Sequence, residues 1–225
     1  RVRRQRQMCI RDRDESQNFL AVSKEVTVTV APKEITVTPD NASKVYGESD
    51  KEFTYTPSGL VGEDTLSDIT LSRAEGDNVG TYEITAAQKK DANPNYSVKF
   101  NKGTFTINPK EITVTITPNG GTYEGNIISA AAVLNGLVGE DKPEIILTYA
   151  GKANDGTEVN GTKTPVLAGT YTVTASITDS NYNLKAEGTT AEFVVTKATP
   201  GLSVAAVSDK SYGEGAFKLG VSNKG

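Results

Sequence analysis

Apolar and polar residues alternate with a period of two along most of this chain, and the phase of the alternation inverts at prolines. In residues 104–117 (TFTINPKEITVTIT), Phe105 and Ile107 alternate with threonine before Pro109, and Ile112, Val114 and Ile116 do so after it. A period of two marks a strand with one face buried. A move from odd to even positions turns every side chain to the other face, which excludes one continuous strand serving one core. The pattern predicts a strand that closes one core, then a strand that opens the next. The proline between them has no N–H to give to a ladder and ends the pairing. The same inversion surrounds Pro32 (Val26, Val28 and Val30, then Ile35 and Val37) and Pro200 (Phe193 and Val195, then Leu202 and Val204).

These junctions divide the chain into the tail of an upstream repeat at 14–32, complete repeats at 33–109 and 110–198, and the start of a truncated repeat at 199–225. Lys33–Val37 recurs as Lys110–Val114, Tyr46 as Tyr123 and Gly59–Asp64 (GLVGED) as Gly136–Asp141, all offset by 77 residues. Gly80-Thr81-Tyr82 recurs as Gly169-Thr170-Tyr171 at an offset of 89, so the second repeat holds 12 additional residues, placed around 150–165. Asn154-Asp155-Gly156 within them is a tight-turn signal and predicts an extended hairpin. Asn95-Tyr96 recurs as Asn181-Tyr182. In the first complete repeat, strands are predicted near 34–38, 52–57, 69–73, 80–87, 95–101 and 103–108, with Gly, Asn, Asp and Pro between them. The stretch Glu63–Ser67 has room for one helical turn, and no helix of about ten residues or more is legible. The expected fold class is all-β: tandem small immunoglobulin-like β-sandwich repeats, with β-grasp-like repeats as the alternative.

Composition narrows the chemistry. Arg3–Asp12 (RRQRQMCIRD) reproduces the translation of a transposase-based sequencing adapter, so residues 1–13 are read as a library artefact and kept out of the fold. The chain carries a net charge of −4; without the six arginines of that segment and Asp12, 18 basic and 27 acidic residues remain, a net −9. Such an acidic protein is repelled by phosphate backbones, and nucleic acid is not an expected partner. The single cysteine (Cys9) and single methionine (Met8) lie in the adapter-like segment, and the chain has no histidine. A disulfide framework, a cysteine-rich zinc site and histidine-dependent catalysis are thereby excluded from the rest. No apolar run approaches the ~20 residues of a membrane span.

The recurring motifs invite functional readings that physical requirements weaken. Tyr46-Gly47-Glu48 and Tyr212-Gly213-Glu214 are candidate ligand contacts. Their repetition favours a tyrosine that plugs the domain end beside a glycine turn. The pairs Glu63 with Asp64 and Glu140 with Asp141 supply too few oxygens for calcium, which takes ~6–8. Nor does adjacency in a loop set two carboxylates ~5–9.5 Å apart across a sugar. Leu60 and Leu137 are expected to anchor this loop, with the acids in water. Asp155-Gly156 with Glu158 lacks calcium-loop spacing and reads as a hairpin turn. No catalytic, cofactor-binding or metal-binding residue is assigned, and no enzymatic activity is expected. Glycan platforms favour exposed aromatic rings. The chain has no tryptophan, and Tyr46, Tyr82, Tyr96, Tyr123, Tyr171, Tyr182 and Tyr212 all occupy repeated framework positions, which leaves Tyr55 and Tyr149. Lys33, Lys110 and Lys197 recur at the boundaries. A lysine–asparagine isopeptide staple would need one of them buried beside an asparagine and an acid, and a solvated position is expected instead.

Four elements recur in order: Lys-Glu-Ile-Thr-Val, Tyr-Gly-Glu, Gly-Leu-Val-Gly-Glu-Asp, and Gly-Thr-Tyr followed by Asn-Tyr. Across nearly all of 14–225 the chain resembles the MBG family of bacterial repeat domains, particularly its YGX type, and the related YDG-type repeats. The second repeat departs from the pattern, with Tyr123-Glu124-Gly125 in place of Tyr-Gly-Glu. The resemblance implies a large, secreted, often adhesin-like protein at the bacterial cell surface, with such domains in tandem and no shared catalytic site. The expected function is a non-catalytic spacer or stalk whose partners are adjacent repeats of the same protein. One alternative is an adhesive module for a host glycan, mucin or matrix protein, with the 150–165 insertion as its best surface, because inserted loops tend to carry function. The other is an accessory region of a larger extracellular enzyme.

Overall fold

The computed structural model describes residues 7–11, 23–125 and 129–224. The chain forms two compact units, Arg1–Pro109 and Lys110–Gly225. The fold is all-β, and the described residues contain no helix. The β-grasp alternative needs a helix laid on a sheet, so it does not apply to them.

In the first unit the strands are β1 (Gln7–Arg11), β2 (Ser23–Thr27), β3 (Lys33–Pro39), β4 (Ala42–Val45), β5 (Tyr55–Ser58), β6 (Ile69–Arg73), β7 (Gly80–Gln88), β8 (Tyr96–Phe100) and β9 (Gly103–Asn108). In the second they are β10 (Lys110–Thr117), β11 (Gly121–Thr122), β12 (Ala131–Asn135), β13 (Ile145–Ala153), β14 (Glu158–Gly161), β15 (Gly169–Ile177), β16 (Tyr182–Leu184), β17 (Thr190–Thr196), β18 (Gly201–Val204) and β19 (Val221–Lys224).

Besides the two-stranded sheets β1-β2 and β18-β19, each unit contains two sheets with matching connections. The smaller sheets run β5-β3-β8 and β12-β10-β16, and the larger run β4-β9-β7-β6 and β11-β17-β15-β13-β14. The central strand of each smaller sheet pairs antiparallel on one side and parallel on the other. β4 and β11 join their sheets in parallel with the unit's later strands β9 and β17. The added strand β14 pairs with β13 through an Asn154-Asp155-Gly156 turn, forming the hairpin over the inserted residues.

Alternation places the cores. Ile35 and Val37 of β3 are buried, as are Ile84 of β7 and Phe105 and Ile107 of β9. In the second unit Ile112 and Val114 of β10 are buried, together with Tyr149, Tyr171, Val173, Phe193 and Val195 of the larger sheet. The odd-numbered residues of β9 thus fill the first core and the even-numbered residues of β10 the second, with Pro109 between. After Pro200 the inverted phase is present without a core: Leu202 and Val204, in the two-stranded β18–β19 sheet, are 68% and 56% exposed.

Three local expectations change. β4 was expected to be loop, because its inward position is taken by Lys44, only 7% exposed, and a lysine hides the apolar alternation. The strand expected at 52–57 begins at Tyr55, since Phe53 leaves the ladder to set its ring edge-on to Phe105, with centroids 5.5 Å apart. The helical turn expected over Glu63–Ser67 is replaced by a tight turn in which the Asp64 N–H donates to the Val61 carbonyl at 3.1 Å. Of the adapter-like segment 1–13, only Gln7–Arg11 falls within the described residues, as β1 paired antiparallel with β2. The remainder of that segment and residues 14–22 of the repeat tail lie outside them.

Truncation of a core ring removes its transfer free energy and leaves a cavity. Phe105→Ala is expected to lower the unfolding free energy of the first unit by about 3–5 kcal/mol in chemical denaturation. Val194→Ala, at an exposed position, is expected to stay within about 0.5 kcal/mol of the parent.

Candidate functional site

The recurring motifs meet in space. In the first unit the Tyr96 hydroxyl accepts the Val61 N–H at 3.1 Å and donates to Asp64 Oδ2 at 2.5 Å. In the second, the Tyr182 hydroxyl accepts the Val138 N–H at 3.0 Å and donates to the Asp141 carboxylate. The Asp141 N–H closes the same turn on Val138 at 3.1 Å. Gly62 and Gly139 have φ of 58° and 53°, a conformation that a Cβ would disfavour. The neighbouring asparagine takes part as well: the Asn95 and Asn181 carbonyls accept the Lys33 and Lys110 N–H groups, each at 2.9 Å. Gly-Leu-Val-Gly-Glu-Asp, Asn-Tyr and the start of Lys-Glu-Ile-Thr-Val are therefore parts of one latch in each unit.

This alters the expectation for the acids. Asp64, Glu63 and Glu140 are exposed as expected and Asp141 is half-buried, but Asp64 and Asp141 each also accept a hydrogen bond from a phenol. Leu60 and Leu137 are half-buried in the same loops. The hydrogen bond to Asp64 raises the Tyr96 hydroxyl above its ordinary 10.0. A cavity of about 410 Å³ adjoins the first latch. Its buried Asn93 is satisfied internally, donating to the Ser67 carbonyl and Gln88 Oε1 and accepting the Ser67 N–H, all at 3.1 Å.

The Tyr-Gly elements are turns. Gly47, Gly125 and Gly213 have φ of 84°, 75° and 94°. Glu48 N–H donates to the Val45 carbonyl at 3.1 Å, and the Glu48 carboxylate accepts the Val45 N–H in return. Tyr46 and Tyr123 pack against the cores of their units. Tyr212, in the equivalent turn after β18, is fully exposed.

Other candidates separate. Tyr55 is half-buried, and Tyr149 is buried at 2% exposure, with its hydroxyl accepting the Ala130 N–H at 3.1 Å. Tyr149 therefore offers no ring face to a sugar. Asp155 Oδ1 accepts the Thr157 N–H at 2.9 Å, which holds its carboxyl below the ordinary range and ties the hairpin turn. Glu158 lines a cavity of about 360 Å³ between the hairpin and the following loop, with Val159, Asn160, Lys163, Leu167 and Tyr171. No group of three or more Asp, Glu, Cys or His among the described residues could hold a metal ion.

Lys33 and Lys197 are exposed and Lys110 is half-buried. The deeply placed lysine is one that sequence reasoning passed over. Lys44 Nζ lies 2.7 Å from Asp50 and 3.6 Å from Asp77. Arg73 Nε reaches Asp50 at 2.5 Å and its Nη2 reaches Asp77 at 3.1 Å, while its Nη1 donates to the Ala74 and Gly76 carbonyls. The guanidinium sits 5.0 Å from the Phe105 ring centroid. Hydrogen bonds from Arg73 and then Lys44 hold the Asp50 carboxyl below its ordinary value. An amide bond would require a neutral carboxyl and a neutral amine, so this contact is an ion pair. Isolated charged residues in otherwise ordinary strands gave no period or spacing by which to find it.

The latch makes a paired prediction. Tyr182→Phe removes the hydroxyl that joins the Val138 N–H to the Asp141 carboxylate and is expected to cost about 1–3 kcal/mol in denaturant unfolding. Because the Tyr96 value is raised, its contribution is full below the unfolded tyrosine value and is lost as pH rises through the folded one. Alkaline titration followed by phenolate absorbance is expected to show Tyr96 ionising after free tyrosine, with loss of amide protection over 59–64.

Comparison with known proteins agrees with this shared framework. No curated protein matches the chain. Residues 35–106 match the MBG domain (YGX type) family, and residues 112–199 match a second family described as MBG domain. With both units matched and the same tyrosine latch in each, the chain belongs to the MBG family as a tandem of two MBG domains.

Proposed function

We propose that this chain is a non-catalytic spacer in a secreted protein of the bacterial cell surface, where successive domains set a distance and carry no chemistry of their own. One observation carries the reading: the residues repeated between the units are consumed in holding them together. Tyr96 with Asp64 and Tyr182 with Asp141 lock loops, and Tyr46 and Tyr123 cover cores. A module whose repeated tyrosines are engaged within it can be multiplied without multiplying a ligand site. Extracellular placement follows from the family reading, and the partners are neighbouring domains of the same protein. Among the described residues no helix is long and apolar enough to cross a membrane.

An adhesive module is the second reading, favoured by the cavity under the inserted hairpin, which exists in the second unit alone among the described residues. Small-angle scattering of the whole chain is expected to give an extended pair-distance distribution, and surface-plasmon assays against glycans, mucin and matrix proteins to give no saturable binding. A compact globular profile would overturn the spacer. Saturable binding that disappears in Leu167→Asp would establish adhesion in its place.

A further inference from the structure

The two units close the same end of their larger sheets by opposite chemistry. Pairing registers make the positions comparable. Arg73 lies opposite Ile84 and Tyr149 opposite Val173, each partner standing four residues beyond the glycine that opens its strand. Lys44 lies beside Ile107, and Gly121 beside Val195. The first unit thus covers Phe105 with Lys44, Arg73, Asp50 and Asp77. In the second, Tyr149 stands edge-on to Phe193 with centroids 6.3 Å apart, and the lysine position has no side chain.

Asp50 makes the short contact to each cation, and it belongs to the segment between β4 and β5 that also carries Phe53. Protonation of Asp50 leaves Lys44 and Arg73, whose side chains are 6% and 13% exposed, with Asp77, which is 82% exposed. A cation withdrawn from water is costly when its close counter-charge is lost; Arg73 keeps Asp77 and the Ala74 and Gly76 carbonyls, Lys44 keeps the longer contact to Asp77, and the segment loses its tether. We propose that this cluster is an acid-released clasp, which lets residues 46–54 lift from Phe105 in the first unit at a pH that leaves the aromatic closure of the second intact.

The sign follows from the groups in contact. Arg73 and Lys44 depress Asp50, so its contribution is present above the ordinary aspartate value of 3.8 and is lost as pH falls through the depressed one. The groups facing it are Lys44 on β4, Arg73 on β6 and Asp77 in the β6–β7 loop, with Tyr82 of β7 beneath Arg73 at 5.5 Å. Arg73, raised by its hydrogen bond to Asp50, keeps its charge through this window. At the far end of the segment Asp40, depressed by hydrogen bonds from Thr54 and Thr56, adds to the loss. In the second unit Asp155, a depressed carboxylate, ties an exposed hairpin turn.

Hydrogen exchange by mass spectrometry on the whole chain, corrected for intrinsic rates, tests the clasp between about pH 6 and about pH 2. Protection over 46–54 and β9 is expected to fall about tenfold or more on acidification, while β15 and β17 change by less than about threefold. Asp50→Asn is expected to show the open pattern already near neutral pH, and Asp77→Asn to retain the closed one there. Parallel loss of protection in both units on acidification would overturn the proposal, as would wild-type protection in Asp50→Asn at neutral pH. Should Asp50→Asn fail to fold, the wild-type comparison of the two units decides alone.

Discussion

The inversion of side-chain phase across one proline constrains everything else in this chain. β9 ends at Asn108 and β10 begins at Lys110, so the polypeptide has one residue in which to leave one core and enter another. A strand cannot bury both faces in two different cores while keeping a single alternation. Each unit must therefore be complete in itself, with two sheets and an interior of its own. Completeness at the boundary is reached by parallel pairing: the first strand of each complete repeat, β3 or β10, lies beside β8 or β16, from late in the same repeat. The asparagine carbonyl ahead of that late strand takes the first strand's N–H, so chain start and chain end are stitched within one module.

That stitching explains why the most recognisable residues are framework. A phenol that accepts one N–H and donates to one carboxylate fixes a loop with a single side chain, because its hydroxyl supplies both a donor and an acceptor. Phenylalanine fills the volume and supplies neither. The requirement falls on an aspartate two residues after a glycine of positive φ, and on a tyrosine more than thirty residues later. The glycine–aspartate spacing is the same in both units, whereas the aspartate and tyrosine stand 32 residues apart in the first and 41 in the second.

How much of this was legible depended on what each position buries. Strands such as β3, β9, β10 and β17 show their inward faces as Ile, Val and Phe against Thr, and period two suffices to read them. β4 was opaque because Lys44 occupies its inward position, and β11 because its two residues are Gly121 and Thr122. Tyr149 looked free for a ligand because it broke the repeated tyrosine pattern. It breaks the pattern because it stands where the first unit has an arginine. The Tyr96–Asp64 contact was legible only as two motifs recurring together, since single-chain periodicity carries no information about pairs 32 residues apart.

The arginine–tyrosine exchange shows how two such modules diverge without losing their shape. An aromatic ring can be covered on its face by a cation or at its edge by another ring, since its face is electron-rich and its rim is not. Phe105 takes both, with the Arg73 guanidinium over it and Phe53 edge-on, and Phe193 is packed by the rings of Tyr149 and Tyr171. Replacing a whole buried ionic group by apolar packing is often neutral, whereas removing one member leaves an orphaned charge. Arg73 cannot become a tyrosine while Lys44 and Asp50 keep their places, for Asp50 would lose its strongest donor and two carboxylates would be left with one cation. The second unit has glycine at the lysine position. The two closures are thus separated by a coordinated change, and a module holding half of each would be less stable than either.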